Sequence, residues 1–441
     1  MIQRIIIFIF IMNYIQTNEI EIQTDILSLT YPLYPDISYD ICKELYRGDL
    51  YCNLLKNFTK SCLENLNESI FSHKKSANRT ITNLLASWFF TLYQYYDFKD
   101  DPFFPTNYNY TNTLVKTLED YCSLSKIDCK EKINNIITDL LCYYKNILEK
   151  LKEYKIQNNI IFVTKINIYQ KRDKESITFY KLILNDNMPK IMNNKLNNII
   201  NNIIIPVNQY NMMKKRYNGN DIDNIIWIII YRYQLLSSNN NQLAVLQHIL
   251  EKMKNDFNLS VECFASAING SLSNYCSLYY DVEKYFGSIG SFFQMIPTKG
   301  VYSFNSPYQY DIISNGITRI INIMKLSKTE DVENKLCFII TIPIWDIEGK
   351  KYMKENMTEN NNNTIDYDDF NIMNDIRQSI YFKGLRMISK NDFTYFDHNF
   401  HLYKNKTIQN TYVIIMSNYE CDYIEKINKY NFFNYDNNKI I

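Results

Sequence analysis

The sequence predicts an open, doubly wound α/β sheet preceded by a mainly helical N-terminal region. Three observations lead there. In the second half, short β-branched and aromatic runs alternate with stretches of helical periodicity, the pattern of strands crossed by helices. In the first 155 residues apolar side chains recur at helical spacing. The strand-like runs end in small or turn-forming residues, which suits loops at a ligand-binding sheet edge. A chain of 441 residues is long enough to bury one or two sizeable cores.

In chain order, Arg4 precedes the apolar run Ile5 to Met12, which fits either a short signal-peptide core or a buried element. It is too short to span a bilayer, and no other stretch has transmembrane length without charge or strong polarity. Ile137, Leu140, Leu141, Tyr144, Ile147, Leu148 and Leu151 form a helical stripe, read as core packing. Asp101-Pro102 and Phe104-Pro105 mark an irregular loop between helices. Residues 160–166 and 177–180 predict a hairpin, and 185–256 return to helix, with 193–202 helical despite its asparagines. The organisation expected is residues 1–200 as the helical region and 201–430 as the α/β domain, with an Asn-rich insertion near 355–370.

The α/β domain opens with Asn258 to Gly270, a short buried strand followed by Phe264, Ala265, Ser266 and Asn269. Small residues there allow the close backbone approach a nucleotide-like cofactor needs, although an ordinary strand-to-helix turn reads the same way. Gly287 and Gly290, two of only nine glycines, signal a demanding loop within 284–293. The run Gly300 to Phe304 then ends in Asn305-Ser306-Pro307-Tyr308. An asparagine at a strand's carboxyl end suits one chemistry. Its side-chain oxygen and the Ser306 carbonyl each accept one N–H of an adenine N6 amine, turning the nitrogen lone pair toward a sulfonium methyl. Pro307 stiffens the turn, and the Tyr308 ring stacks the base, a contact worth roughly 1–3 kcal/mol. Helical spacing over Asp311 to Lys325, a buried strand from Leu336 ending at Pro343, and a late strand over Thr411 to Met416 complete the sheet.

These stretches, in this order, resemble the catalytic region of the phosphorylated-CTD-interacting factor family, cap-specific adenosine N6-methyltransferases of mRNA. The likeness is carried by Arg232-Tyr233-Gln234, Glu262 to Ser266, Asn269, Tyr275-Cys276-Ser277, Tyr285 to Ser288, Phe304 to Tyr308, Ile342-Pro343 with Trp345, and Asn410-Thr411. It implies a Rossmann-like class I methyltransferase sheet and S-adenosyl-L-methionine as cofactor. Glu262, Phe264, Ala265, Ser266, Asn269 and Asn305 are its implied cofactor contacts, with residues 285–290 covering the pocket. Asn305, Ser306, Pro307 and Tyr308 are the implied catalytic group, and Tyr308, Tyr310 and Trp345 the substrate contacts. The resemblance further implies capped mRNA 5′ ends as substrate, the phosphorylated RNA polymerase II tail as a partner, and a location in the nucleus; the alternatives are the cytoplasm, or the secretory pathway if residues 4–12 are a signal core. Three positions depart from the family. Ser306 replaces a proline, and Tyr310 and Ile344 replace acids suited to a cationic cap, with Asp346 one position late. Weaker cap discrimination than the family's is expected. The three tryptophans, Trp88, Trp227 and Trp345, lie too far apart for the family's phosphopeptide-reading module.

Charge announces no polyanion partner, because 48 Lys and Arg face 47 Asp and Glu. Lys214-Lys215-Arg216 is the local basic candidate, or simply a solvated turn before Gly219. None of the ten cysteines forms a CxxC pair and only four histidines exist, so no metal site is expected. Six cysteines between 42 and 142 leave open a secreted disulfide-rich protein, against reduced buried thiols. The same residues also fit a catalytically impaired relative that binds RNA or the polymerase tail, or an enzyme that methylates adenine in DNA or structured RNA.

Overall fold

The computed structural model describes residues 40–432 apart from 67, 72–75, 96–100, 125–128, 156–160, 173–174, 186–192, 237–241, 308, 328–333, 344–371, 399–403 and 408–409. The N-terminal apolar run, the Asn-rich insertion, Tyr308, Ile344, Trp345 and Asp346 therefore lie outside the described residues.

Four long helices open the fold: α1 (Ile41–Asn65), α2 (Ala77–Tyr93), α3 (Asn112–Leu124) and α4 (Lys130–Glu153). The α4 stripe Ile133, Ile136, Ile137, Leu140, Tyr144, Ile147 and Leu151 is buried, and α4 packs against α1. Strands β1 (Val163–Arg172) and β2 (Glu175–Leu184) pair antiparallel over their whole length, and β3 (Ile204–Pro206) adds to β2. Helix α5 (Asn194–Asn201) starts where the Asn193 side chain accepts the Lys195 and Leu196 amides. After α6 (Val207–Arg216) comes α7 (Ile222–Leu236), buried without a break from Ile225 to Tyr233. A helix apolar on every side belongs in an interior. Here one core runs from α1 through α7 to Tyr279 and Ile312.

The α/β part continues with β4 (Leu243–Val245), α8 (Gln247–Phe257), β5 (Leu259–Glu262), β6 (Asn274–Tyr275), α9 (Tyr280–Glu283), β7 (Gly300–Phe304), α10 (Tyr310–Leu326) and β8 (Leu336–Pro343). It closes with α11 (Ile372–Gln378), β9 (Phe382–Ile388), β10 (Tyr395–Asp397), β11 (Lys404–Lys406), β12 (Thr411–Ser417) and α12 (Tyr423–Ile427). Six strands form one sheet in the order β6-β5-β7-β8-β12-β9. The first four run parallel, and β12 is antiparallel to both neighbours. Alternate residues feed opposite faces. Leu336, Phe338, Ile340 and Ile342 of β8 enter one core while Cys337 and Ile339 enter the other. Burial on both faces explains the continuous apolar runs of the sequence.

The sheet order also positions a crevice. From β5 the chain goes outward to β6, then returns across to β7 on the other side of β5. Strand order reverses there, the loops after β5 and β7 diverge, and ligands bind at such a point in open α/β sheets.

Candidate active site

At that reversal the carboxyl ends of β5, β6 and β7 border a cleft of about 750 Å3, mouth included. The strand ends contribute Cys263 to Ser266 with Asn269, Cys276 to Leu278, and Asn305 to Pro307. Of the residues singled out in the sequence, Phe264, Ala265, Ser266, Asn269, Asn305, Ser306 and Pro307 thus share one cavity. Tyr310 opens α10 shortly after this turn.

The loop after β5 is held from several directions. Asn269 Oδ1 accepts the Ser266 amide at 2.7 Å, and the Gly270 amide donates to the Ser266 carbonyl at 2.8 Å. The Ser266 hydroxyl donates to Gln242 Oε1 at 2.9 Å. From below, Glu283 Oε2 accepts the Ala267 amide at 2.6 Å, while its Oε1 accepts the Tyr233 hydroxyl at 2.9 Å. Burial pushes the Glu283 carboxyl up to about 8, although its three hydrogen-bond donors favour the charged form. Such a loop presents its backbone in a fixed shape, the preorganisation a small polar ligand needs.

Glu262 is placed differently from its expected role. It does not line the cleft. Its Oε1 accepts the Ser271 and Leu272 amides at 2.6 and 2.7 Å, so it ties the far end of the same loop. Burial raises its carboxyl to about 7, against those two amides and the nearby Arg216 charge. Arg216 itself donates to the Gly270 and Ser271 carbonyls at 2.7 and 3.1 Å. The basic triplet therefore divides: Lys214 and Lys215 are exposed, and Arg216 is a loop clamp.

The segment 285–290 supplies shape and not lining. Gly287 and Gly290 adopt φ of +101° and +97°, as their spacing anticipated. The lining from this loop comes slightly later, from Ser291, Phe292 and Phe293. Phe264, Phe292, Phe293 and Phe304 pack as one aromatic group, with Phe264 edge-on to Phe304 at 5.1 Å.

A family model described as "Phosphorylated CTD interacting factor 1 WW domain" matches residues 208–375. The match runs from α6 into α11 and contains β5, β6, β7 and their loops. This stretch is similar to the phosphorylated-CTD-interacting factor family. The human and mouse proteins named mRNA (2'-O-methyladenosine-N(6)-)-methyltransferase are each 28% identical to the chain over 126 residues. That overlap covers 27% of this chain and 17% of each relative.

The family stretch does not account for the whole cleft. Phe90, Tyr93 and Gln94, at the end of α2, form one wall, outside the match and more than 200 positions before Asn305. Sequence reading missed them because Phe90 and Tyr93 fit a helix's apolar stripe and Gln94 has no local signal. Gln242 and Glu283 were missed too. Both act through tertiary hydrogen bonds that spacing does not encode. Among the described residues no group of His, Cys, Asp and Glu is arranged to hold a metal, none of the ten cysteines forms a disulfide, and no helix is long and apolar enough to cross a membrane.

Proposed function

We propose that the chain is an S-adenosylmethionine-dependent methyltransferase acting on N6 of an adenosine in RNA, with the cap-adjacent 2′-O-methyladenosine of mRNA as its target. The observation that carries this reading is the meeting of Asn305 to Pro307 with Phe264, Ala265, Ser266 and Asn269 in one cleft at the sheet's reversal point. The order of the six strands, with antiparallel β12 between β8 and β9, supports a Rossmann-like class I methyltransferase sheet. The names of the human and mouse relatives support the mRNA adenosine substrate. The family's description supports the phosphorylated polymerase tail as a partner.

The residues present suit the cofactor. Ala265 and Ser266 are small residues of the lining, and Gln242 carries a buried Nε2 without a hydrogen-bond partner beside the loop that would hold the cofactor. When bound, S-adenosylmethionine supplies an electrophilic methyl on a sulfonium. Asn305 Oδ1 and the Ser306 carbonyl accept the two N–H bonds of the target amine and aim its lone pair. The nitrogen so aimed would take the methyl as its bond to sulfur is released, and the amine's surplus proton would pass to solvent. Orientation and proximity carry much of the rate, and no general base is required.

The test is methyl transfer to capped and uncapped RNAs that begin with A, followed by nucleoside analysis. N6-methyladenosine is expected, with a weak preference for the cap because Tyr310 and Ile344 stand where acids are expected. A folded protein that yields none from either RNA and shows no S-adenosylmethionine affinity in calorimetry would overturn the reading in favour of an impaired, RNA-binding relative.

A further inference from the structure

Three buried polar atoms of the cleft residues have no hydrogen-bond partner among the described residues: Gln94 Nε2, Gln242 Nε2 and Ser306 Oγ. Their residues are 7%, 6% and 3% exposed, so bulk water does not satisfy them. A buried polar atom left unpaired is costly, and several around one cavity point to a ligand that completes them. The two glutamines are fixed by different partners. Gln242 Oε1 accepts from Ser266, in the loop after β5. Gln94 Oε1 instead accepts the Asn315 Nδ2 at 2.8 Å, and Asn315 belongs to α10, the helix that follows Asn305-Ser306-Pro307. Gln94 is thus anchored to the element that carries the amine-holding turn, and with its oxygen engaged it offers only N–H donors.

We propose that Gln94, contributed by the helical region, is a specificity-determining residue that donates to a ring nitrogen of the target base next to the methylated amine. This rests on the methyltransferase reading above. The chemistry follows from the edge of each base. Adenine carries an exocyclic amine, a donor, flanked by N1 and N7, both acceptors. Guanine presents an acceptor oxygen at that position with an N–H on its N1 side, and uracil presents an oxygen beside an N–H. A turn that accepts from an amine, paired with a fixed amide that donates beside it, complements adenine and leaves unpaired groups against guanine or uracil. Phe90 and Tyr93, one turn before or adjacent to Gln94 on α2, supply apolar wall at the same place.

The experiment uses the full chain and A-starting RNA with adenosine, 1-deazaadenosine or 7-deazaadenosine at the target position, for the parent, Gln94→Leu and the near-isosteric Gln94→Glu. The parent should lose about 10- to 100-fold in kcat/KM on one of the two deaza substrates, the range expected for one base-reading bond. Both variants should lose a similar factor on natural RNA and become indifferent to that same deaza substitution. Affinity for S-adenosylhomocysteine, read by calorimetry, should stay within about threefold of the parent. Three results would overturn the inference: parent-like kcat/KM in both variants, losses that simply multiply with both deaza substitutions, or a large fall in S-adenosylhomocysteine affinity, which would place Gln94 against the cofactor. A parent that methylates no adenosine defeats the methyltransferase reading itself, and is distinguished by the natural-RNA arm.

Discussion

Asn305 directly follows β7 in the cleft wall, half-buried, with Ser306 beside it almost fully covered. In the proposed mechanism, replacing Asn305 by alanine removes one of the two acceptors for the target amine. Transfer should fall by about 10²-fold or more, while S-adenosylhomocysteine binding and the denaturation midpoint hold. Parent-rate methylation by this variant would show that the turn does not hold the amine. Glu283 makes a separate prediction about pH. Its folded-state value, raised to about 8, lies above that of an exposed glutamate. The folded protein therefore binds the extra proton, and this contribution to stability is present at acidic pH and is lost as pH rises through about 8. The slope from one such group reaches up to about 1.4 kcal/mol per pH unit. Urea midpoints of the parent should decline from about pH 6 to about pH 9 more steeply than those of Glu283→Gln, and equal slopes would rule out Glu283 as the source. Asn305 was legible in the sequence because it sits in a short motif at a strand end. Glu283 was not, because its partners Ala267 and Tyr233 come from other elements.

At the scale of elements, the long apolar strands were legible and the short ones were not: β3 and β4 fall within residues 185–256, whose sequence reads as helix. Leu336 to Pro343 and Thr411 to Ser417 read as apolar runs and pair in the sheet centre, with Ile340 opposite Ile414. Their direction was not legible, since an apolar run has no polarity and β12 reaches its antiparallel place only after β9 to β11 are laid down. The loop between α9 and β7 was legible through its glycines. At Gly287, φ is +101° and a Cβ would stand 2.0 Å from the Ser273 carbonyl oxygen. Gly287→Ala should lower stability by about 2 kcal/mol or more, seen as a drop in the urea midpoint. An unchanged midpoint would mean that this backbone can relax into an ordinary conformation.

At the scale of the molecule, the helical region and the cleft are joined by buried charge. Arg232 of α7 donates to Glu44 of α1 at 2.7 Å and to Asp281 of α9 at 2.8 Å. Arg47 pairs with Glu44 and with Asp101, the latter at 2.7 Å. Helix α9 in turn carries Glu283, which holds the Ala267 amide in the cleft loop. Arg232→Met would leave Glu44 and Asp281 buried with too little positive charge. It should cost about 3–5 kcal/mol in denaturant unfolding, and any protein that still folds should bind S-adenosylhomocysteine more weakly. A variant of parent stability would show that Arg47 and solvent compensate. Arg232 was singled out in the sequence only as part of a family-like stretch. Its partners lie 188 and 49 positions away, beyond what local pattern reports.

The sequence by itself determined the helical first part, strands β1, β2, β5, β7, β8 and β12, helix α10, the small-residue loop after β5, and the Asn305 turn, because each depends on periodicity or turn chemistry within a dozen residues. Only the tertiary structure decided which strands are neighbours, where the order reverses, and that α2 closes the cleft with Gln94. Those depend on contacts between distant segments that share no local code, made favourable by burying apolar faces on both sides of one sheet and around α7. Glu262 marks the boundary between the two. Its place at a strand end was readable, but whether its carboxylate meets a ligand or the chain's own amides depended on how the loop to Leu272 folds back over it.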